Sequence, residues 1–186
     1  MKTSLLPVFA FHPDPHGTGQ VKQRPTVCVC CGQARGFIYV GTVFSKEPLD
    51  EKLCPWCIAD GTAHKKHNAL FCDPSDFYAA PNTPLIPQEE IHEVSQKTPG
   101  FAGWQQPTWL HHCGHACMFL GAASQEILRR HRSMLEPQIR QELCPKDKDE
   151  AHFQQLYNSI DTDTETVAWL FRCRICAQLR TYVDFP

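Results

Sequence analysis

The chain has 186 residues, a formal net charge of -2 at pH 7 and 20% charged side chains. This length suits one domain of ordinary size or two small ones, and the nearly neutral charge argues against a nucleic acid or an anionic membrane as partner. No stretch approaches the roughly 20 apolar residues of a membrane-spanning helix, and the N-terminal run MKTSLLPVFAF lacks the core and cleavage site of a secretory signal. We therefore expect a soluble, cytoplasmic protein.

The cysteines are numerous and unevenly spaced. There are 11 of them, and all except Cys72 and Cys144 fall into four tight groups. The groups are Cys28, Cys30 and Cys31; Cys54 and Cys57; Cys113 and Cys117; and Cys173 and Cys176. A secreted disulfide framework spreads its cysteines to close loops, whereas close pairs in a reducing compartment are typical of metal sites. The grouping therefore predicts metal binding.

The first 80 residues have the order of a zinc ribbon. Residues 1–27 are rich in proline, glycine and histidine, so we expect irregular structure there. The run GFIYVGTVF sets aromatic and β-branched residues between glycines, which predicts a strand. Because this strand lies between the cysteine knuckles CVCCG and LCPWC, we predict an N-terminal zinc-ribbon-like domain over residues 1–80.

Residues 81–186 are predicted to form a second domain, reached through a proline-rich linker at 73–87. Helices are expected at QEEIHEVSQK before Pro99, from the N-cap Ser124 to Leu143 with a kink or restart at Pro137, and at HFQQLYNSI. The polar turn DTDTET then leads into VAWLFRCRICAQLRTYVDF, which predicts strand, knuckle and strand. The fold class is α+β: small zinc-ribbon-like β elements with a helical insertion in the C-terminal half, and two four-cysteine zinc sites.

The first predicted site is a four-cysteine zinc site. Zinc prefers four tetrahedral ligands, and a C-x-x-C pair curls the backbone so that both thiolates can reach one ion. Its ligands are Cys28, Cys31, Cys54 and Cys57. Cys30 is an alternative to Cys28, although the C-x-x-C-G register favours Cys28. A redox role for the pair in CPWC would need a βαβ frame around it, which the flanking residues do not supply.

The second predicted site has a looser C-x-x-x-C pair. Its ligands are Cys113, Cys117, Cys173 and Cys176, which makes two zinc ions per chain. His111, His112 and His115 compete with the first two cysteines as ligands, and Cys113 and Cys117 could instead be buried apolar residues. His64 and His67 have helical spacing, but the two lysines between them indicate a solvated face.

Several unusual motifs occur in one order along the chain. They are LPVFAFHPDPHGTG, CVCCGQARGFIYVG, CPWCIADGTA, TPGFAGWQQPTWLHHCGHACMFLG and LFRCRICAQLRTYVDF. Together they resemble the CbrC family of bacterial proteins, whose named member is a colicin tolerance protein. The resemblance implies the same eight cysteine ligands and a link to survival of DNA-damaging bacteriocins. Where that family commonly has H-C-G-D, this chain has His115 in place of the aspartate.

These observations favour a non-enzymatic zinc protein that acts as a tolerance or immunity factor by binding a bacterial toxin or bacteriocin. The chain has no G-x-S-x-G, H-E-x-x-H or P-loop pattern. Two alternatives stay open: a metal-dependent enzyme with an open zinc site at HHCGHAC, and a nucleic-acid-binding zinc ribbon. In HPDP, His12 and Asp14 are expected to belong to a rigid N-terminal strap on the first ribbon.

Overall fold

The computed structural model describes residues 6–144, 149–162 and 164–186. Within these ranges the strands form three two-stranded antiparallel sheets and one three-stranded sheet, with short helices between them. The prediction of a mixed fold of helices and small sheets is therefore confirmed. Two predictions fall partly outside the described residues. They concern residues 1–5 of the N-terminal run, which was predicted not to be a secretory signal, and Asp163 of the predicted polar turn.

The N-terminal part contains one hairpin-like sheet and two short helices. Their bounds are β1 Val21–Gln23, β2 Phe37–Tyr39, α1 Pro55–Ala59 and α2 Thr62–His67. β2 lies inside the predicted strand, whereas β1 lies in the stretch predicted to be irregular and pairs Val21 with Tyr39. Ile38, Leu53 and Phe71 are fully buried in the first hydrophobic core, on which this part depends.

The segment predicted as a linker is folded. It contains a 3₁₀ helix, Pro74–Phe77, followed by β3 Tyr78–Ala80 and β4 Thr83–Pro84. Asp73 caps the 3₁₀ helix by accepting a hydrogen bond from the Ser75 backbone N–H, and Phe77 and Ile86 are buried in the second core. The linker prediction is therefore wrong. The prolines of this segment favour tight turns, and the ring of Pro74 fixes the φ of the residue with which the 3₁₀ helix begins.

The predicted helices are present. They are α3 Gln88–Lys97, α4 Gln125–Arg130, α5 Arg132–Leu143 and α6 Glu150–Ser159. Ser124 caps α4 as expected, since its hydroxyl accepts the Ile127 backbone N–H. The interruption between α4 and α5 falls at His131 and not at Pro137, which lies inside α5. α4, α5 and α6 pack on a third core that contains Leu135 and Phe153, whereas α3 contributes Ile91 and Val94 to the second core.

The remaining strands border the turns that contain the C-terminal cysteines predicted as metal ligands. Their bounds are β5 His111–His112, β6 His115–Ala116, β7 Met118–Ala122, β8 Val167–Arg172 and β9 Leu179–Asp184. β5 and β6 form a tight hairpin, and the sheet order β7-β8-β9 confirms the predicted strand, knuckle and strand at the C-terminus. Phe119 and Phe171 pack with Phe101 and Trp109 in the aromatic second core.

A backbone hydrogen bond ties the N-terminal segment to the three-stranded sheet. The backbone N–H of Phe119 donates to the carbonyl of Phe11, so the N-terminal segment lies along the three-stranded sheet and not only on the first part of the fold.

In the described ranges, none of the helices combines the length and the apolar character that crossing a bilayer requires.

Candidate metal centres

The first cluster consists of the four cysteines predicted from the C-x-x-C spacing. The ligand atoms of Cys28, Cys31, Cys54 and Cys57 all lie within 4.8 Å of one another. The sulfurs of Cys31 and Cys54 are 3.9 Å apart. Two thiolates on one tetrahedral zinc are separated by about 3.8 Å, because each Zn–S bond is about 2.3 Å long. The cluster therefore has the size of a tetrahedral thiolate site.

Local backbone structure positions these four thiols. The first pair sits on a turn in which the Gly32 N–H donates to the Cys28 carbonyl, and Gly32 has a φ of 69°. A glycine reaches this left-handed conformation without the clash that a Cβ would cause. Cys54 is the N-cap residue of α1, and Pro55 sets the first helical φ, so Cys57 is turned back toward the same point.

The electrostatics of the first cluster favour a thiolate at Cys28. Hydrogen bonding from the Cys54 side chain and from the Cys54 backbone N–H, 3.3 Å from the Cys28 sulfur, lowers the pKa of Cys28 to about 4. Burial opposes this effect but is outweighed. Because metals bind the deprotonated thiolate, Cys28 is prepared for a cation, whereas the hydrogen bond with Cys28 raises the pKa of Cys54 and burial raises that of Cys57.

Cys30 is close to the first cluster but is not one of its four ligands. Its side chain is 3% exposed and belongs to the first core, and burial raises its pKa. Its carbonyl accepts a hydrogen bond of 2.6 Å from the Lys66 ammonium. The sequence left open whether Cys28 or Cys30 belongs to this cluster. In the structure the cluster contains Cys28.

The second cluster has three cysteines and a histidine. The ligand atoms of His112, Cys113, Cys173 and Cys176 lie within 4.8 Å of one another. The His112 Nδ1 atom is 3.2 Å from the Cys113 sulfur and 3.4 Å from the Cys176 sulfur. A nitrogen and a sulfur bound to one tetrahedral zinc would be about 3.5 Å apart. Cys113 and Cys176 are exposed, so this cluster faces solvent more openly than the first one.

The two halves of the second cluster come from two different turns. Cys113 and Gly114 form the hairpin turn between β5 and β6, with φ values of 55° and 73°. Cys173 and Cys176 occupy a knuckle in which the Ala177 N–H donates to the Cys173 carbonyl and the Cys173 N–H donates to the Gln178 carbonyl. The Cys28–Gln33 turn has the same two bonds, so the two C-x-x-C knuckles share one backbone geometry.

Cys173 is the second cysteine whose surroundings favour the thiolate. Its burial by itself would raise its pKa. Hydrogen bonds from the Cys176 backbone, His112 and the Ile175 backbone outweigh this effect and lower the pKa to about 6. The Ile175 N–H lies 3.4 Å from the Cys173 sulfur. Each cluster therefore contains one thiol that ionises readily.

Cys117, predicted as a ligand, is not in either cluster. It is fully buried in the aromatic second core, where burial raises its pKa to about 12, and its carbonyl accepts the Trp109 indole N–H at 2.9 Å. His112 stands in its place, which was one of the alternatives that the sequence left open. Of the two predicted four-cysteine sites, the first is therefore a cluster of four cysteines and the second a cluster of three cysteines and one histidine.

Three other histidines that the sequence offered as ligands, His64, His67 and His115, have hydrogen-bond partners in the structure. His115 contacts Glu90, with 2.9 Å between Nδ1 and Oε1. His64 bonds the Ala69 carbonyl, and His67 lies 3.2 Å from a carboxylate oxygen of Glu47. Among the described residues, none of these three histidines belongs to a metal cluster.

The HPDPHGTG segment is a strap that ties the N-terminus to the C-terminal core. His12 is 0% exposed; its Nδ1 lies 2.7 Å from the Pro99 carbonyl oxygen and its Nε2 lies 2.7 Å from the Thr18 hydroxyl. A carbonyl only accepts, so Nδ1 carries the proton and Thr18 donates to Nε2. Asp14 accepts the Gly17 N–H and caps the turn. The strap borders an open cleft of about 440 Å³.

Comparisons with known proteins give a family but no solved relative. The sequence model of the uncharacterised protein family UPF0167 matches residues 6–185. The chain is 38% identical over 180 residues to UPF0167 proteins of Mycobacterium bovis and Mycobacterium tuberculosis, covering 97% of this chain and 94% of each relative. It is 33% identical over 190 residues to a UPF0167 protein of Pseudomonas aeruginosa, covering 97% of both chains. No solved structure matches.

These matches correct one expectation. The matching family and the relatives are UPF0167, and nothing in them indicates the CbrC family, so the resemblance inferred from the sequence motifs is wrong. The eight cysteine ligands that it implied therefore have no support from the family, and only the geometry bears on them. Geometry brings seven of the eight cysteines into clusters and leaves Cys117 out.

Proposed function

The chain belongs to the UPF0167 family, and from the geometry of its two clusters we propose that it is a non-enzymatic zinc protein holding two ions. The observation that carries the proposal is that each cluster offers four ligand atoms within 4.8 Å. Four protein ligands fill the tetrahedral shell of zinc, whereas a catalytic zinc keeps one position for water or substrate. Zinc is also the metal that suits donor sets of four thiolates, or of three thiolates and one imidazole.

The zinc ions in this proposal supply stability. His112 and Cys113 precede Cys173 by about 60 positions, so one ion joins distant parts of the chain. The first ion joins the Cys28 knuckle to the start of α1. Binding energy of this kind counts directly as folding energy, because the unfolded chain has no preformed site. A cytoplasmic location, which we include in the proposal, would keep the thiols reduced and available.

Metal content of the full-length, untagged protein tests this proposal. Native mass spectrometry together with elemental analysis should find two zinc ions per chain. Cys54→Ser should retain one ion, and so should Cys113→Ser, because each removes one ligand from a different cluster. Cys117→Ser is the matched control and should retain two. Fewer than two zinc ions in the wild type, or iron in their place, would contradict the proposal.

The protein acts, in this proposal, by binding a protein partner. The net charge of -2 gives little attraction to nucleic acid, while Trp104 and Ile175 are large apolar side chains that are 59% and 61% exposed. A toxin or bacteriocin as this partner stays a prediction, although the resemblance that suggested it is overturned. Co-purification with a toxin encoded beside this gene tests it, and binding of DNA at low salt would favour the nucleic-acid alternative.

The second cluster is where an enzymatic alternative would have to lie. Cys113 and Cys176 are exposed, so an ion there could exchange a ligand for water. A general base would then be needed nearby, and for His115, whose Nδ1 contacts Glu90, only Nε2 could take that role. Slow zinc release to a strong chelator would support the closed site, whereas a rapidly exchanging ion with hydrolytic activity would favour the enzyme.

A further inference from the structure

Glu90 makes two contacts with the hairpin that carries His112 and Cys113. It lies in the first turn of α3 and its side chain is 19% exposed. One carboxylate oxygen is 2.9 Å from the Nδ1 of His115, and the other accepts the backbone N–H of Ala116 at 2.8 Å. A single carboxylate therefore holds the returning strand of the hairpin, β6, at two points.

The same carboxylate also contacts the knuckle that carries Cys173 and Cys176. Arg174 lies between these two cysteines, and its guanidinium nitrogen is 3.8 Å from Glu90 Oε1. The guanidinium carbon of Arg174 lies 4.4 Å from the centre of the Phe11 ring, which places a cation over an aromatic face. Arg174 is thus held from two sides, and the knuckle is held with it.

We infer that Glu90 is the positioning residue of the second metal cluster. This inference rests on the proposed function, because it requires an ion at that cluster. The sheet pairs Met118 with Arg172 and so sets the approximate distance between hairpin and knuckle. One ligand-bearing turn precedes Met118 and the other follows Arg172, and Glu90 contacts β6 directly after the first turn and Arg174 within the second. Its role is to hold His112 and Cys113 opposite Cys173 and Cys176 before the ion binds.

Glu90→Gln changes this arrangement without changing the size of the side chain. The amide has one acceptor oxygen in place of two and no charge, so it cannot pair with His115, Ala116 and Arg174 together. Residues that hydrogen-bond a metal ligand directly typically contribute 10- to 100-fold to metal affinity, and Glu90 acts through residues next to the ligands, so the lower end of this range applies. We expect the second cluster of Glu90→Gln to bind zinc about tenfold more weakly. The first cluster should be unaffected.

The experiment is a chelator titration of the full-length, zinc-loaded protein. Native mass spectrometry counts the ions, and alkylation followed by peptide mapping identifies which cysteines lose their protection. Glu89→Gln is the matched control, because Glu89 is the exposed neighbour of Glu90 in the same helical turn. Glu90→Gln should release the ion at Cys113 and Cys176 at about one tenth of the chelator concentration that the control needs. Cobalt loaded at this cluster should also show a shifted absorption spectrum.

The outcomes separate this inference from the proposed function. If Glu90→Gln releases its second ion at the same chelator concentration as Glu89→Gln, the positioning role is refuted while the two-zinc proposal stands. If Glu90→Gln loses both ions together, Glu90 is a general folding residue and the inference is again overturned. If the wild type holds no metal at Cys113 and Cys176, both the inference and the proposed second site fail. Partial recovery in Glu90→Asp, which keeps the charge, would support the electrostatic contact.

Discussion

His12 should make the stability of this protein depend on pH, because the folded chain keeps this side chain neutral. The imidazole is fully buried, bonded to Pro99 and Thr18, and packed edge-on against Phe119 with ring centres 4.9 Å apart. Burial lowers its pKa from the ordinary 6.5 to about 4, although the Pro99 carbonyl and Asp14 act in the opposite direction. The unfolded chain has no such constraint, so it takes up a proton near the ordinary value.

The sign and size of the effect follow from these two pKa values. Between about pH 6.5 and about pH 4 the unfolded chain binds a proton that the folded chain refuses, so stability falls as the pH falls. One pKa unit corresponds to about 1.36 kcal/mol. At about pH 5.5, His12 should therefore have removed roughly 1.4 kcal/mol of the unfolding free energy that it leaves intact at about pH 8.

The assay is urea unfolding of the zinc-loaded protein at about pH 8 and about pH 5.5, in wild type and His12→Gln. The variant should be less stable at the higher pH, by about 1–3 kcal/mol, because buried hydrogen bonds are lost. Its further loss on acidification should be smaller than that of the wild type by roughly 1.4 kcal/mol. Protonation of the cysteine ligands is common to both proteins and cancels in this difference. His16→Gln removes an exposed histidine of the same loop that bonds the Val21 carbonyl, so it controls for the loss of a hydrogen bond without the loss of a buried imidazole. Equal pH dependence in wild type and His12→Gln would refute the reasoning.

Three further substitutions test features outside the candidate metal ligands. Asp184 is 3% exposed, and its carboxylate accepts hydrogen bonds from three N–H donors. In Asp184→Asn the amide N–H₂ would face one of these donors in either orientation of the side chain. Urea unfolding should therefore show that the free energy of unfolding falls by about 2–3 kcal/mol. Ala177 has a φ of 60° at the position that Gly32 occupies in the first knuckle. Ala177→Gly should therefore leave stability unchanged or raise it by up to about 1 kcal/mol in thermal unfolding, whereas Gly32→Ala should lower it.

The elements that sequence predicted well are those with local signals. α3 has acidic residues in its first turn and a proline after its end, and α4 begins at the capping hydroxyl of Ser124. The pairs Cys28–Cys31, Cys54–Cys57 and Cys173–Cys176 are likewise local, because a C-x-x-C spacing nearly fixes its own turn. In each case the information lies within a few residues of the feature.

The motif HHCGHAC alone could not show that His112, and not Cys117, belongs to the second cluster. In the sequence, HHCGHAC offers several possible ligands at similar spacing. The structure decides between them because Cys113 and Gly114 form a two-residue hairpin turn, after which Cys117 enters the aromatic core. The dipeptide Cys-Gly, with a glycine able to adopt positive φ, was the available signal for that turn. The burial of Cys117 depends on Trp109 and Phe119 and could not be read from spacing.

The contacts of His12 and Glu90 were beyond local sequence reasoning. His12 meets the Pro99 carbonyl 87 positions further along the chain, and Glu90 meets His115 25 positions further along. No periodicity or spacing encodes such pairs, since they follow from how separate elements pack. The two prolines of HPDP predicted a rigid strap. The attachment of this strap to the C-terminal core depends on contacts of His12 with Pro99 and Phe119, which are distant in sequence.

α3 connects the surroundings of the two clusters, and this bears on the order in which metal would leave. At its N-terminal turn Glu90 contacts the hairpin of the second cluster, while near its C-terminal end the Ser95 carbonyl accepts the N–H of Phe71 from the first core. Cys113 and Cys176 are exposed, whereas three of the four ligands in the first cluster are buried. In the proposed two-zinc protein the second ion should therefore leave first. Because Ser95 remains anchored to the first core, the resulting loosening should stay local to the hairpin and the knuckle, since sparsely packed segments open without the core.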